Sequence, residues 1–209
     1  WGGSMFEALM VTLFVPESEW GPKSWGVNHP CYVRAQIEHG LLEAQYGYWG
    51  FSPSNNPAGD YRVYGVDAIG MDPNGYYSNN DKTGAESSLP ASAYTNGVVT
   101  PHAVFLALPF APDAALQNLA NLRRDFKDAY GHYGFYDAIN VQTGQVAQYY
   151  LALDQGMIVA AIANQLGNNQ LQRYFANDNV KNALEPLLRD EVFGSGCEAK
   201  PHSTGRGRR

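Results

Sequence analysis

One stretch constrains this chain more than any other: Tyr46 to Met71, YGYWGFSPSNNPAGDYRVYGVDAIGM. It mixes aromatics, glycines and small amides with neither a helical nor a strand period, so it is not one regular element. A long ordered loop inside a compact domain is kept where it builds a site. Trp49, Phe51, Tyr61 and Tyr64 offer flat apolar faces, while Ser52, Ser54, Asn55, Asn56 and Asp67 offer directional hydrogen bonds. That mixture matches a sugar, whose ring is apolar on its C–H face and rimmed by hydroxyls. A well-packed structural loop has the same composition, and both readings stand at this level.

The rest of the chain narrows the class. Its 209 residues suffice for one domain with a sizeable core. A net charge of −6 leaves no electrostatic footprint for nucleic acid. Aromatics at 13% against 16% charged residues point to a neutral, hydrogen-bonding ligand. No run of about eighteen apolar residues exists to cross a membrane. Arg206, Arg208 and Arg209 lie in a Gly/Ser/Thr/Pro-rich end, and residues 194–209 read as a disordered tail. Cys31 and Cys197 form no metal motif; Cys31 reads as a small core residue, with a disulfide left open. The chain opens on Trp1 with no targeting segment in view, and a periplasmic or secreted address is the expectation.

Helices flank the central stretch. Ser4 to Phe14 opens with Ser4 as N-cap and Glu7 three residues on, the spacing of a capping box. Asn28 is expected to cap a helix carrying Pro30 in its first turn and Val33, Ile37 and Leu41 on one face. Tyr61 to Ile69 reads as a short extended pair, and Asn74 to Ser92 as a polar excursion. Thr100 and Pro101 restart helix, and Pro112 opens another with Leu116, Leu119 and Leu122 apolar. A second aromatic and glycine loop, Tyr130 to Val141, precedes a helix from Gln155 to Leu166, with Asp154 as its expected cap. Leu171 to Phe175 and a final helix capped by Asn177 complete five to seven helices in antiparallel order.

Hydrolysis of a glycosidic bond needs one carboxyl that donates a proton and another that activates water or attacks. Glu7, Glu38, Glu43, Asp60, Asp67, Asp72, Asp137 and Asp154 lie in or near the aromatic segments. Glu38 and Glu43 fall on a helix, where a solvated face explains them. Asp137 follows Phe135 and Tyr136 and precedes Ala138 and Ile139, and a carboxylate in such apolar company must be hydrogen-bonded, neutralised or functional. Glu7, between Phe6 and Ala8, is similarly placed, although the capping box gives it a structural task. His102 reads as a sugar contact or a core histidine. No metal-ligand spacing, phosphate-binding glycine loop or G-x-S-x-G elbow occurs, so no metal or cofactor is expected.

Five segments in one order, WGGSMFEALM, WGFSPSNNPAGDYRVYGVDAIGM, NGVVTPHAVFLAL, YGFYDAIN and YLALDQGMIV, resemble the glycoamylase-like domain of bacterial endo-β-1,2-glucanases and, more distantly, of cyclic β-1,2-glucan synthases. The resemblance covers Trp1 to about Phe193. It implies an all-α fold, the (α/α)6 toroid, with residues 1–193 forming its C-terminal part and an N-terminal half as the missing partner. It also implies a hydrolase acting on a β-linked glucan by inversion, with Glu7 as general acid and Asp137 as general base. A sugar-binding module without turnover is the alternative. Trp25, Trp49, Phe51, Tyr64 and Tyr136 are the expected apolar contacts of the saccharide, and Ser52, Asn55, Asp67, His102, Asp154 and Gln155 its polar ones. Where the synthase branch has a catalytic glutamate after W-G-x-S, this chain has Pro53, which disfavours a retaining transglycosylase.

Overall fold

The computed structural model describes residues 2–70 and 90–194, without the side chains of Asp67 and Ala93. Most of the expected Asn74–Ser92 excursion, Asp72, Cys197 and residues 195–209 lie outside the described residues.

Helix α1 (Met5–Leu9) starts where expected, with the Ser4 hydroxyl accepting from Glu7 N, and passes into a tight turn at Val11–Leu13. After a short α2 (Glu17–Trp20), α3 (Trp25–Glu38) begins three residues before the expected cap at Asn28 and holds Pro30 inside it. The early start follows from the turn before it, since the Gly21 and Ser24 carbonyls already accept from Gly26, Val27 and Asn28. The helix widens to a π turn at His39–Glu43. Helix α4 (Pro101–Leu106) has Thr100 and Pro101 as N-cap and first residue, as the sequence reads, and α5 (Pro112–Asp125) opens on its proline. Leu119 and Leu122 of α5 are buried, whereas Leu116 is exposed.

Helix α6 (Ala152–Leu166) corrects another expectation. Its N-cap is Leu151, whose carbonyl accepts from Gln155 N at 2.9 Å. Asp154 is therefore its third residue, and its side chain is released from capping. Helices α7 (Gln170–Phe175) and α8 (Asp178–Asp190) follow, the latter capped by Asn177 through bonds from Asn179 N and Val180 N. Cys31 is half-buried and disulfide-bonded, which replaces its expected role as a core residue.

The chain also forms short strands that an all-α reading omits. β1 (Ser54–Asn55) pairs antiparallel with β2 (Tyr61–Arg62), and β4 (Tyr130–Gly131) with β5 (Gly134–Phe135), while β3 (Val98–Val99) is counted between them in chain order. The third sheet has the order β3, β6 (Ala138–Asn140), β7 (Val146–Ala147), all antiparallel. Val99 faces Ile139 and Ala147 faces Ala138, so the end of β3, the start of β6 and the end of β7 lie together.

The core joins α1, α3, α4 and α6 to the central loop. Gln36, fully buried on α3, ties two segments together: its Nε2 donates to Gly3 O at 2.7 Å and its Oε1 accepts from Phe51 N at 3.0 Å. The backbones of Gly3 and Val66 also meet closely, through Val66 N to Gly3 O at 3.0 Å. A Cβ on Gly3, which has φ +73°, would stand 1.9 Å from the Val66 carbonyl oxygen, so glycine is required there.

Candidate active site

The three-strand sheet gathers one set of side chains. His102 follows β3 by three residues on α4, Asp137 immediately precedes β6, and Asp154 stands on α6 just after β7. Because those strand ends lie side by side, residues far apart in sequence converge. One ligand atom from each of His102, Asp137 and Asp154 lies within 4.8 Å of the others. All three are buried, at 2%, 2% and 4% exposure, so their charges have little access to solvent.

Asp137 is oriented from the central loop. Asn55 donates to its Oδ2 twice, from the backbone N at 2.7 Å and from Nδ2 at 3.1 Å. The Asp137 N–H in turn donates to Tyr149 O at 3.1 Å. Two N–H donors on one oxygen stabilise the ionised carboxylate. Across the β1–β2 pair, Asn55 stands opposite Tyr61, and Tyr61 is more than half exposed at 56%. Burial, then the negative charges that Asp154 and Asp137 carry at the alkaline pH where a phenol ionises, push the Tyr61 phenol up.

Asp154 and His102 are both held neutral. Burial first, then the hydrogen bond to Asp137 and its charge, raise the Asp154 carboxyl to about 8. Burial lowers the His102 imidazole to about 3. Its Nδ1 lies 3.6 Å from Asp154 Oδ2, beyond hydrogen-bond reach, and neither ring nitrogen has a partner among the described residues. One imidazole and two carboxylates have the chemistry of a divalent-cation donor set. Within the set, the two carboxyls approach each other to within 4.8 Å.

Glu7 is half-buried on α1 and fixed by its own N-terminal segment. Its Oε2 accepts from Gly2 N at 2.9 Å and from the Ser4 hydroxyl at 3.0 Å. The reciprocal arm of the expected capping box thus reaches Gly2 rather than the backbone of Ser4. The central loop connects Glu7 to the carboxyl cluster: Phe51 O accepts from Met5 N at 3.0 Å, the Ser52 hydroxyl accepts from Phe6 N at 3.2 Å, and Asn55 then holds Asp137.

Several expected sugar contacts have other tasks. Trp49, Phe51 and Tyr64 are at most 2% exposed, so the loop turns its aromatics into the core and they offer no face for stacking. Ser52 is equally buried and serves α1. Trp25 donates to Glu191 Oε2 at 2.9 Å and packs edge-on against Phe193, within the contact between α3 and the residues that follow α8. Gln155 donates to Phe135 O at 3.2 Å, bracing the second aromatic loop. The side chain of Asp67 is outside the described set. Glu43, read as solvated, accepts from Tyr94 and lies 2.7 Å from His39 Nδ1, so it too is structural.

A second group of aromatics, half-buried at Tyr136 and Tyr150 and exposed at Tyr133, reaches the surface elsewhere. Tyr136 lies 4.7 Å from Tyr150, ring to ring, and their hydroxyls share a hydrogen bond that raises the Tyr136 phenol. Tyr133, 75% exposed, meets Tyr150 edge-on at 5.6 Å. Gly131 makes room for this group, since a Cβ there would sit 2.4 Å from the Tyr150 hydroxyl. Of these, only Tyr136 was among the expected site residues. Tyr150 opens the YLALDQ segment and Tyr133 lies in YGHYGFY, so the signal was their place in the aromatic motifs.

The Glycoamylase family model, described as "Putative glucoamylase", matches residues 1–179. The chain belongs to this family. Among glycoamylase-like relatives, the cyclic β-(1,2)-glucan synthase NdvB of Rhizobium meliloti is 33% identical over 225 aligned positions, covering 99% of this chain and 7% of that protein. An exo β-1,2-glucooligosaccharide sophorohydrolase of Parabacteroides distasonis is 25% identical over 62% of the chain and 17% of its own length. Among solved structures, an endo-β-1,2-glucanase from Chitinophaga pinensis, in complex with sophorotriose and glucose, superposes with a TM-score of 0.61 at 22% identity. That match covers 89% of this chain and 41% of the glucanase, and at that identity it shows a shared fold. The chain thus spans a small part of the curated relatives it matches.

Proposed function

We propose that this chain is part of the catalytic domain of a glycoside hydrolase acting on β-1,2-linked glucan. The observation that carries the reading is the carboxylate of Asp137, 2% exposed yet aligned by two N–H donors from Asn55. Asn55 fixes the carboxylate through Oδ2, while Oδ1 accepts from no amide, hydroxyl or cationic donor among the described residues and is the oxygen that can take a proton. Family membership and the β-1,2-glucan activities printed for its relatives supply the substrate class.

In this reading Asp137 is the general base that activates water, and Glu7 is the general acid. The Oε2 of Glu7 is anchored by Gly2 and Ser4, which fixes the carboxyl plane and leaves Oε1 to face the leaving oxygen. Attack on the opposite ring face inverts the anomeric centre, which calls for about 6.5–9.5 Å between the two carboxyls around a bound sugar. Pro53 in the W-G-x-S-P segment removes the nucleophile that a retaining transferase would need there. Tyr61, Tyr133, Tyr136 and Tyr150 supply the apolar faces on which glucose rings rest.

We further propose that the helices belong to the C-terminal part of an (α/α)6 toroid. Val159, Ile162 and Leu166 follow one another at helical spacing along α6 and are 66%, 36% and 83% exposed. Such a stripe is covered in a complete ring. A binding module of the same fold is the second reading, favoured by the surface tyrosine group if Asp137 proves silent. Incubation of the intact protein with linear glucans of β-1,2, β-1,3, β-1,4 and β-1,6 linkage decides the matter. Products from the β-1,2 polymer alone support the proposal; tight binding without products from any of them supports the module.

A further inference from the structure

We propose that Asp154 is a positioning residue for Asp137: its carboxyl, in the acid form, donates a hydrogen bond to the Asp137 carboxylate and holds the two as a singly charged pair. The inference rests on the reading of Asp137 as general base and extends it to a second side chain.

The geometry leaves little choice. Both carboxyls are nine-tenths buried or more, and an oxygen of each lies within 4.8 Å of an oxygen of the other. Two carboxylates this close in a buried site of low dielectric do not both ionise, and one proton shared between them satisfies the pair. No Lys or Arg pairs with either group among the described residues, and His102, the third member, is too deeply buried to carry a charge. Asp137 is the ionised partner because Asn55 gives its Oδ2 two N–H bonds. Its Oδ1 and the Oδ2 of Asp154 receive no amide, hydroxyl or cationic donor among the described residues. Asp154 is free to act in this way because α6 is capped by Leu151 and not by Asp154.

The surroundings of Asp154 fix which groups bear on it. Helix α4 brings His102, the loop before β6 brings Asp137, and β2 brings Tyr61. The turn at Val11–Leu13 packs on α6 without a titratable side chain. On α7, Arg173 donates to Gly167 O beyond the opposite end of α6, and Tyr174 is 73% exposed. The pair therefore titrates as a unit.

Carboxyl-carbon NMR of the intact protein, labelled at the aspartate side chains, tests the pair without any substrate. The expected result is one aspartate carbon titrating near pH 8 in the parent, absent in Asp154→Asn and shifted down by about one unit or more in Asp137→Asn. No aspartate titrating above the ordinary range in the parent overturns the proposal, and that spectrum requires no variant to fold. Stoichiometric binding of Zn²⁺ or Mn²⁺, lost in His102→Ala, also overturns it in favour of a cation site. In the glucan assay, kcat of the parent should fall above pH 8, while Asp154→Asn keeps kcat within about tenfold at pH 6 and lacks that fall; an equal loss at every pH would mean a merely structural role. If the parent cleaves no glucan, the functional reading fails while the NMR titration still decides the pair.

Discussion

Asn55 grips one oxygen of Asp137 with both its backbone and its side-chain nitrogen, at 2.7 and 3.1 Å. The residue that orients Asp137, the proposed base, thus sits in the central loop, 82 positions before it in the chain. The backbone bond survives any substitution but proline, and the side-chain bond is lost in alanine. Asn55→Ala should therefore weaken the alignment of Asp137 without removing it. The expected effect is a loss of about ten- to a hundredfold in kcat with KM changed less than threefold, a deficit of ~1.5–3 kcal/mol typical of one hydrogen bond to a charged group. Steady-state kinetics on linear β-1,2-glucan measure it; an unchanged kcat would mean that the side-chain bond is idle.

Gln36 should behave as a structural keystone. Replacing it by Ala leaves the Phe51 N–H unpaired in the core and the Gly3 carbonyl with Val66 N as its remaining donor, at about 1–3 kcal/mol for the one orphaned group. Urea unfolding should show that decrease at unchanged m-value. Gly3→Ala should be at least as damaging, since the added methyl has no space beside the Val66 carbonyl.

The buried cluster gives stability a defined pH dependence. The His102 imidazole is lowered to about 3 in the folded chain, so its contribution is intact above its unfolded value near 6.5 and lost as pH falls from 6.5 towards 3. The Asp154 carboxyl is raised to about 8, so the folded state binds the extra proton between about 4 and 8 and loses stability as pH rises through that window. Asp154→Asn removes the second effect. The variant should gain on the parent by up to about 4 kcal/mol between pH 5 and pH 8, since each unit corresponds to ~1.4 kcal/mol. Thermal melts across that range check the sign, and a gain confined to acid pH would contradict it.

What the sequence disclosed and what it hid follow from the range of each interaction. The Ser4 cap, Pro101, Pro112 and the Asn177 cap are local signals, and helices begin at each of them. The Asn28 cap failed because the winding of α3 is set by the Gly21 and Ser24 carbonyls, backbone groups that no side-chain pattern reports. The aromatic richness of the central loop was evident, but its direction was not. Trp49, Phe51 and Tyr64 face the core because Gln36 and α1 bind the loop backbone from inside. Asp137 stood out by its apolar neighbours, whereas its meeting with Asp154 depends on strand register and was invisible.

Tyr133, exposed, and Tyr136, half-buried, carry a distinct prediction. Tyr133→Ala and Tyr136→Ala should each raise KM for long glucans by about two- to tenfold with little change in kcat, as expected for ~0.5–1.5 kcal/mol of ring contact. Trp49→Phe, by contrast, should lower stability and leave KM near its parent value once the protein is folded.

The uncovered stripe on α6 predicts how this segment behaves alone. Residues 1–194 by themselves should self-associate, and Val159→Lys with Leu166→Lys should suppress that association in analytical ultracentrifugation. If the isolated segment is monomeric without those changes, the stripe needs no covering helices.

The central claim is that Asp137 activates water while Glu7 protonates the leaving oxygen. Anomeric NMR of the first products from linear β-1,2-glucan, for the intact parent, Glu7→Gln and Asp137→Asn, tests it most directly. The account predicts an initial α-anomer from the β-linked polymer and a loss of about two orders of magnitude or more in each variant. Product appearing first as the β-anomer, or either variant retaining parental kcat, would contradict it.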